Sequence, residues 1–327
     1  MDLAMRRRRR ALFVFFFLPG IALSSWVTRT PDVRDQLGAS TAEMGLVLFG
    51  LSVGSMLGIL CSGRLVSRYG TRTVIGLSTP LVIISTAVIA AGSLAHSALL
   101  VAVGLCVFGG GMGLGEVAVN IDGADVERAH GISTLPALHG FFSLGTVIGA
   151  TAGMTATAQR FPVHWHLTLI AFLSAVAFGY AFRAVPVGTG RSPSRPSHSE
   201  AAQSPPVRLW RDPQLLLIGL IVLAMALAEG AANDWLPLLM VDGHGLTPAL
   251  GSLVYVGFAG AMTIGRFGGA FFVARFPRGV IVRVSAVSAA IGLILVIASD
   301  NAGIDQRSHR PVSGSIYVFR VASPRPV

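Results

Sequence analysis

Nine separate runs of this sequence are each apolar for the length that a helix needs to cross a bilayer, and this decides most of what the chain can fold into. At 1.5 Å of rise per residue, roughly 30 Å of hydrocarbon takes about 20 apolar residues. The runs cover residues 11–36, 42–63, 73–95, 97–120, 135–158, 165–184, 213–239, 248–273 and 279–299. In lipid each backbone N–H and C=O must be satisfied within the protein, so runs of this length predict helices. Water is excluded as the sole solvent: the chain is 53% hydrophobic and 12% charged, roughly half the charged share of a soluble domain. The expectation is an all-α, polytopic transmembrane helix bundle with the lipid bilayer as partner.

The net charge of +10 comes from arginine alone among the basic residues. A nucleic-acid partner is not implied, because the arginines fall in short segments between apolar runs, which is a topological signal. With the N-terminus in the cytoplasm, inner segments hold 17 arginines and outer segments 3 (Arg29, Arg34, Arg160), leaving aside the tail after residue 300. Residues 6–10, all arginine, before an apolar run resemble a secretory signal, with Ala22-Leu23-Ser24 as a weak cleavage-like site. The many runs that follow favour an uncleaved first helix in a bacterial inner membrane.

The stretch 185–212, rich in Ser, Pro and Arg, cannot build a core and predicts a flexible cytoplasmic linker. It separates a six-helix bundle, 1–184, from a partial bundle of three helices, 213–299. An internal repeat supports the division: Gly50, Gly58 and Arg68 recur as Gly257, Gly265 and Arg275, an offset of about 207 residues. From Asp300 the chain turns polar, and 300–327 is expected to be an irregular tail. Three further spans would complete a second six-helix half, so the expectation is a chain truncated after its ninth helix.

Small residues spaced by four, as in Gly54-xxx-Gly58, Gly145-xxx-Gly149-xxx-Gly153 and Gly265-xxx-Gly269, predict close helix–helix approach. The glycine-rich run 109–115 follows no strand and fits no G-x-G-x-x-G register, so it reads as helix packing rather than nucleotide binding. Cys61 and Cys106 lie inside apolar runs without metal or disulfide spacing.

Several motifs in this order resemble the major facilitator superfamily (MFS), in a branch similar to fucose permease. They are Ser25-Trp26-Val27-Thr28-Arg29-Thr30-Pro31, then Gly63-Arg64-Leu65-Val66-Ser67-Arg68-Tyr69-Gly70 with Arg72, then Glu116-Val117-Ala118-Val119-Asn120 and Glu127-Arg128. Leu138-His139-Gly140 and Ala228-Glu229-Gly230-Ala231 with Asp234-Trp235 complete the set. The resemblance covers residues 11 to about 299 and implies a complete N-terminal six-helix half with part of a second. It also implies that spans one, four and seven line a central cavity, and that Gly63, Arg64, Arg68, Gly70 and Arg72 form a cytoplasmic loop motif. Ser67 stands where that motif usually places an aspartate, and Glu116 where relatives commonly carry aspartate.

An ionised carboxylate at membrane depth costs several kcal/mol unless paired, hydrated or protonated, so such residues mark solute or proton sites. Glu116, with Asn120 one turn on, is therefore a candidate site residue, against a structural acid near the end of its span. Glu229, with Asn233 one turn on, is the second, against a helix anchor. Trp26 is placed either on a solute ring or at the interface, and His139 with Ser143 either on a proton path or in an interhelical hydrogen bond. Asp234 and Trp235 are read as interfacial, and Arg29 with Asp32 as an outer-loop ion pair.

No Walker A, zinc-ligand or G-x-S-x-G pattern occurs, and no nucleophile–base constellation is visible, so neither an enzyme nor a cofactor is expected. The expected function is secondary transport, as a monomeric permease of a small sugar-like or drug-like solute with H+ as symported ion. The alternative is a shortened, non-transporting membrane remnant.

Overall fold

The computed structural model describes residues 3–131, 134–191 and 213–299. Their regular structure is helical throughout. It comprises α1 (Leu3–Leu37), α2 (Thr41–Tyr69), α3 (Thr71–Leu94), α4 (Ala98–His130), α5 (Leu135–Ala158), α6 (Val163–Ala181), a 3-10 turn (Phe182–Ala184), α7 (Pro213–Asp242), α8 (Pro248–Arg275) and α9 (Arg278–Ser299). Eight of these helices are long and apolar enough to cross a membrane; α9 carries a shorter apolar run, 279–292. Most of the expected linker, 192–212, and the tail, 300–327, lie outside the described residues. The chain divides into one unit of residues 1–275, containing α1 to α8, and a second of residues 276–327.

The helix ends follow from local chemistry. At the start of α2 the Ser40 hydroxyl accepts from the Glu43 N–H, while the Glu43 carboxylate accepts from the Ser40 N–H at 2.8 Å, a reciprocal capping box. Gly131, with φ +63°, ends α4, its N–H reaching the Glu127 carbonyl. The Glu127 carboxylate then accepts from the Thr134 and Leu135 N–H groups at 2.7 and 3.1 Å, opening α5 with the charge sign that a helix N-terminus favours.

Glycines set how closely the helices approach. A Cβ added at Gly54 would collide with the Cys106 carbonyl, and one at Gly58 with the Gly110 carbonyl, so α2 and α4 lie backbone to backbone. The run 109–115 divides its glycines between two neighbours: Gly109 and Gly113 face Leu51 and Ser55 of α2, and Gly111 and Gly115 face Ser78 of α3. Gly145, Gly149 and Gly153 do the same for α5 against Phe17, Ile21 and Thr28 of α1. The pair Gly265 and Gly269 departs from expectation, for a Cβ there meets no atom within 4 Å among the described residues. Gly54→Val is expected to cost about 1–3 kcal/mol through overpacking, seen as a lower unfolding midpoint in detergent; Gly269→Val should leave it unchanged.

Candidate functional site

Five of the packed helices and the second turn of α5 leave a cavity of about 280 Å³. Phe15, Phe16 and Pro19 of α1 form one wall, Ser78 and Thr79 of α3 another, and Gly111, Met112, Gly115 and Glu116 of α4 a third. His139 and Phe142 of α5, Glu229 of α7 and Arg266 of α8 close it. Glu116 reaches this space because Gly111 and Gly115 let α4 lie directly against α3, which leaves the next side chain over the opening.

Arg266 organises the polar side of the cavity. Its Nη2 lies 2.8 Å from Glu229 Oε1, its Nη1 donates to the Ser143 hydroxyl at 2.8 Å, and its guanidinium stands 6.0 Å from the centre of the Phe142 ring. The imidazole of His139 meets the Phe16 ring edge to face at 5.1 Å. Glu116 forms no ion pair or hydrogen bond among the described residues. A guanidinium on an apolar helix is held here by one carboxylate, one hydroxyl and one aromatic face, the environment in which a charge at membrane depth is tolerated.

The model of the Major Facilitator Superfamily matches residues 11–305. The chain belongs to this superfamily. Among MFS relatives, it is 30% identical over 291 residues to an uncharacterised transporter of Sinorhizobium fredii, covering 89% of this chain and 74% of the relative. It is 29% identical over 290 residues to an uncharacterised MFS-type transporter of Yersinia pestis, covering 88% and 71%. The fold is that of the crystal structure of a mutant nucleoside transporter NupG, with a TM-score of 0.58 at 14% identity over 82% of this chain. The match spans 66% of that transporter's length.

In this MFS chain the structure gathers Glu116, His139 and Glu229 around one cavity and leaves the other expected site residues elsewhere. Trp26 is 2% exposed and packs inside the core, outside the cavity lining, because α1 is enclosed by its neighbours at that level. Asn120 lies further along α4, outside the lining. Asn233 accepts from the Tyr255 hydroxyl at 2.8 Å, a contact between α7 and α8. Trp235, half-buried, packs over Gly45 in the first turns of α2. Arg29 and Asp32 do pair, at 3.2 Å, but within α1, with Arg29 buried and Asp32 partly exposed, and Arg29 also donates to Thr157.

The expected loop motif is helical. Gly63, Arg64 and Arg68 belong to the last turns of α2, and Gly70 alone joins it to α3, with φ +83°. Such a φ favours glycine. Arg68 stacks over Tyr69, and Arg72 stands 4.7 Å from the centre of the Phe182 ring and donates to the Val185 carbonyl. Next to this turn lies a buried ion cluster that the sequence reading missed. Arg8 of α1 pairs with Asp122 at 2.6 Å and with Asp125 at 2.8 Å, while the Thr71 hydroxyl donates to Asp122. Thr189, within the expected linker, is held there too, its carbonyl accepting from the Thr71 N–H at 2.8 Å.

Proposed function

We propose that the protein is a secondary carrier of a small solute, sugar-like or drug-like, coupled to protons at Glu116 and working by alternating access. In this reading it sits in a bacterial inner membrane with its N-terminus in the cytoplasm, as the 17 to 3 arginine bias supports. One observation supports it most: Glu116, Glu229 and Arg266, from three different helices, converge on a single cavity between α1–α5 and α7–α8. Sites where two helix groups meet near the middle of the membrane are how such carriers expose a solute to one side and then the other.

The helix contacts fit one end closed. Arg34 of α1 pairs with Asp242 of α7, the Ser252 hydroxyl of α8 donates to the Thr28 carbonyl of α1 at 3.0 Å, and Leu238 of α7 is 2% exposed. The opposite part of α7, residues 213–228, is exposed along its length. Opening the Arg34 end would require those contacts to part. The pair is partly exposed and so contributes no more than about 1 kcal/mol. Asp242→Asn is accordingly expected to shift the balance toward that opening by up to about fivefold, read as faster labelling of a cavity cysteine from that side.

The test of the whole reading is reconstitution into liposomes loaded with a pH-sensitive dye, screened with sugars and drug-like solutes. Solute-evoked proton movement is expected from at least one. Its absence from correctly inserted protein would leave a helical membrane scaffold without transport.

A further inference from the structure

A proline inside a helix leaves one carbonyl without its usual partner, because its ring nitrogen has no N–H to donate to the residue four positions back. Among the described residues four prolines stand inside helices: Pro19 and Pro31 in α1, Pro80 in α3 and Pro237 in α7. The carbonyls they release are those of Phe15, Val27, Gly76 and Asn233. Three of these lie away from the cavity. Val27 is 1% exposed in the core, Gly76 faces the Phe182 ring, and Asn233 is outside the lining. Pro19 differs, since it and Phe15 both line the cavity. Residues one turn apart stand on one face of a helix, so the Phe15 carbonyl opens between them, on the cavity side of α1. The adjacent side of α1 is taken up by α5, where Gly145 lies against the Phe17 carbonyl and Gly20 against that of Phe142.

We propose that the Phe15 carbonyl, released by Pro19, is a solute-binding group of this cavity, and that the solute answers it with an O–H or N–H donor. This rests on the carrier reading above and deepens it. In membrane helices a carbonyl freed by proline is re-satisfied by a neighbouring side chain or by water, and among the described residues no side chain donates to Phe15. Ser78 lines the same space but turns its hydroxyl back to the Ile75 carbonyl at 3.3 Å, and Arg266 is drawn to Glu229 and Ser143. A solute donor replaces the water that otherwise serves the carbonyl. An apolar group in that place displaces the water and leaves the carbonyl unpaired, which weakens binding. Selection of this kind is independent of the solute's charge and of the protonation of Glu116. Pro19 is a positioning residue here, acting on the solute through the carbonyl of Phe15.

Calorimetric titration of the purified full chain with matched probes tests this: tryptophol against its methyl ether, benzamide against N,N-dimethylbenzamide, and methyl glucoside against its tetra-O-methyl ether. At least one donor-bearing member should bind about fivefold or more tightly than its capped partner, as a hydrogen bond to an otherwise unpaired group contributes. Pro19→Ala supplies an N–H to the Phe15 carbonyl and should abolish that preference, whereas Pro31→Ala, on the same helix, should retain it. Loss of the proline ring alone would weaken both members of a pair alike, so the ratio separates the two roles. Equal binding within every pair, a preference that survives in Pro19→Ala, its loss in both proline variants, or no binding by any of the six would each overturn the carbonyl assignment. The carrier reading is judged separately, by solute-evoked proton movement in the reconstituted system. A capped probe that evokes it as strongly as its parent would sink the carbonyl proposal and leave transport standing.

Discussion

Glu116→Gln is expected to reduce solute-evoked proton movement in proteoliposomes to the level of protein-free vesicles. Glutamine has the shape of glutamate but cannot take up and release a proton near neutral pH, so the titrating carboxylate is removed with little change of shape. The fold should not suffer. Glu116 has no ion-pair partner to lose among the described residues, and a neutral amide costs less to hold in an apolar lining than a carboxylate does. The unfolding midpoint of the variant is therefore expected to equal or exceed that of the parent. This separates a lost site from a lost structure: inactivity with a lowered midpoint would argue that Glu116 holds the helices together instead. Glu229→Gln should behave differently. It removes the counter-charge of Arg266, so a fall in stability is expected there.

Asp122→Ala is expected to destabilise the protein by about 3–5 kcal/mol, the usual consequence of leaving a buried charge without its partner. Asp122 is fully buried and the side chain of Arg8 is 9% exposed. The remaining acid, Asp125, is 43% exposed, so water screens its attraction and it replaces only part of what is lost. Replacing both charges, as in Arg8→Met with Asp122→Ala, should recover most of the loss, because the unpaired charge is then gone as well. Thermal unfolding in detergent, run on the two single variants and the double variant as a cycle, measures the coupling. A double variant no more stable than Asp122→Ala would show that packing around residue 122, and not the ion pair, sets the cost.

How far the sequence foretold this site depended on which rule was applied to which residue. Glu116, His139 and Glu229 were legible because an ionisable group inside an apolar run is conspicuous and costly. Arg266 obeys the same rule, standing between Gly265 and Gly268 in an apolar helix. Its residue type conceals it, since most arginines of this chain lie between apolar runs, where they mark topology. Arg8 is concealed in the same way: an arginine within an arginine run resembles surface charge, while its partner Asp122 lies 114 residues away, a pairing that no local pattern records. Trp26 is a different case, buried in the core. A tryptophan in a membrane helix is compatible with an interface, a solute ring or a core, and only the packing of neighbouring helices decides among them. The glycine patterns were legible where a partner helix faces them, in α2, α4 and α5. The pattern 265–269 has the same spacing without such a partner among the described residues, since spacing reports the face of one helix and says nothing of what lies opposite.

The central claim is that the cavity containing Glu116 can be reached from both sides of the membrane in turn. Its most direct test is a single cysteine at Met112, which lines that cavity, in a chain whose free Cys61 and Cys106 have been replaced by alanine. Vesicles of both orientations are treated with a membrane-impermeant thiol reagent. The account predicts labelling of Met112→Cys from either side, slowed when a bound solute fills the cavity. Labelling from one side only under every condition, or from neither, would contradict it.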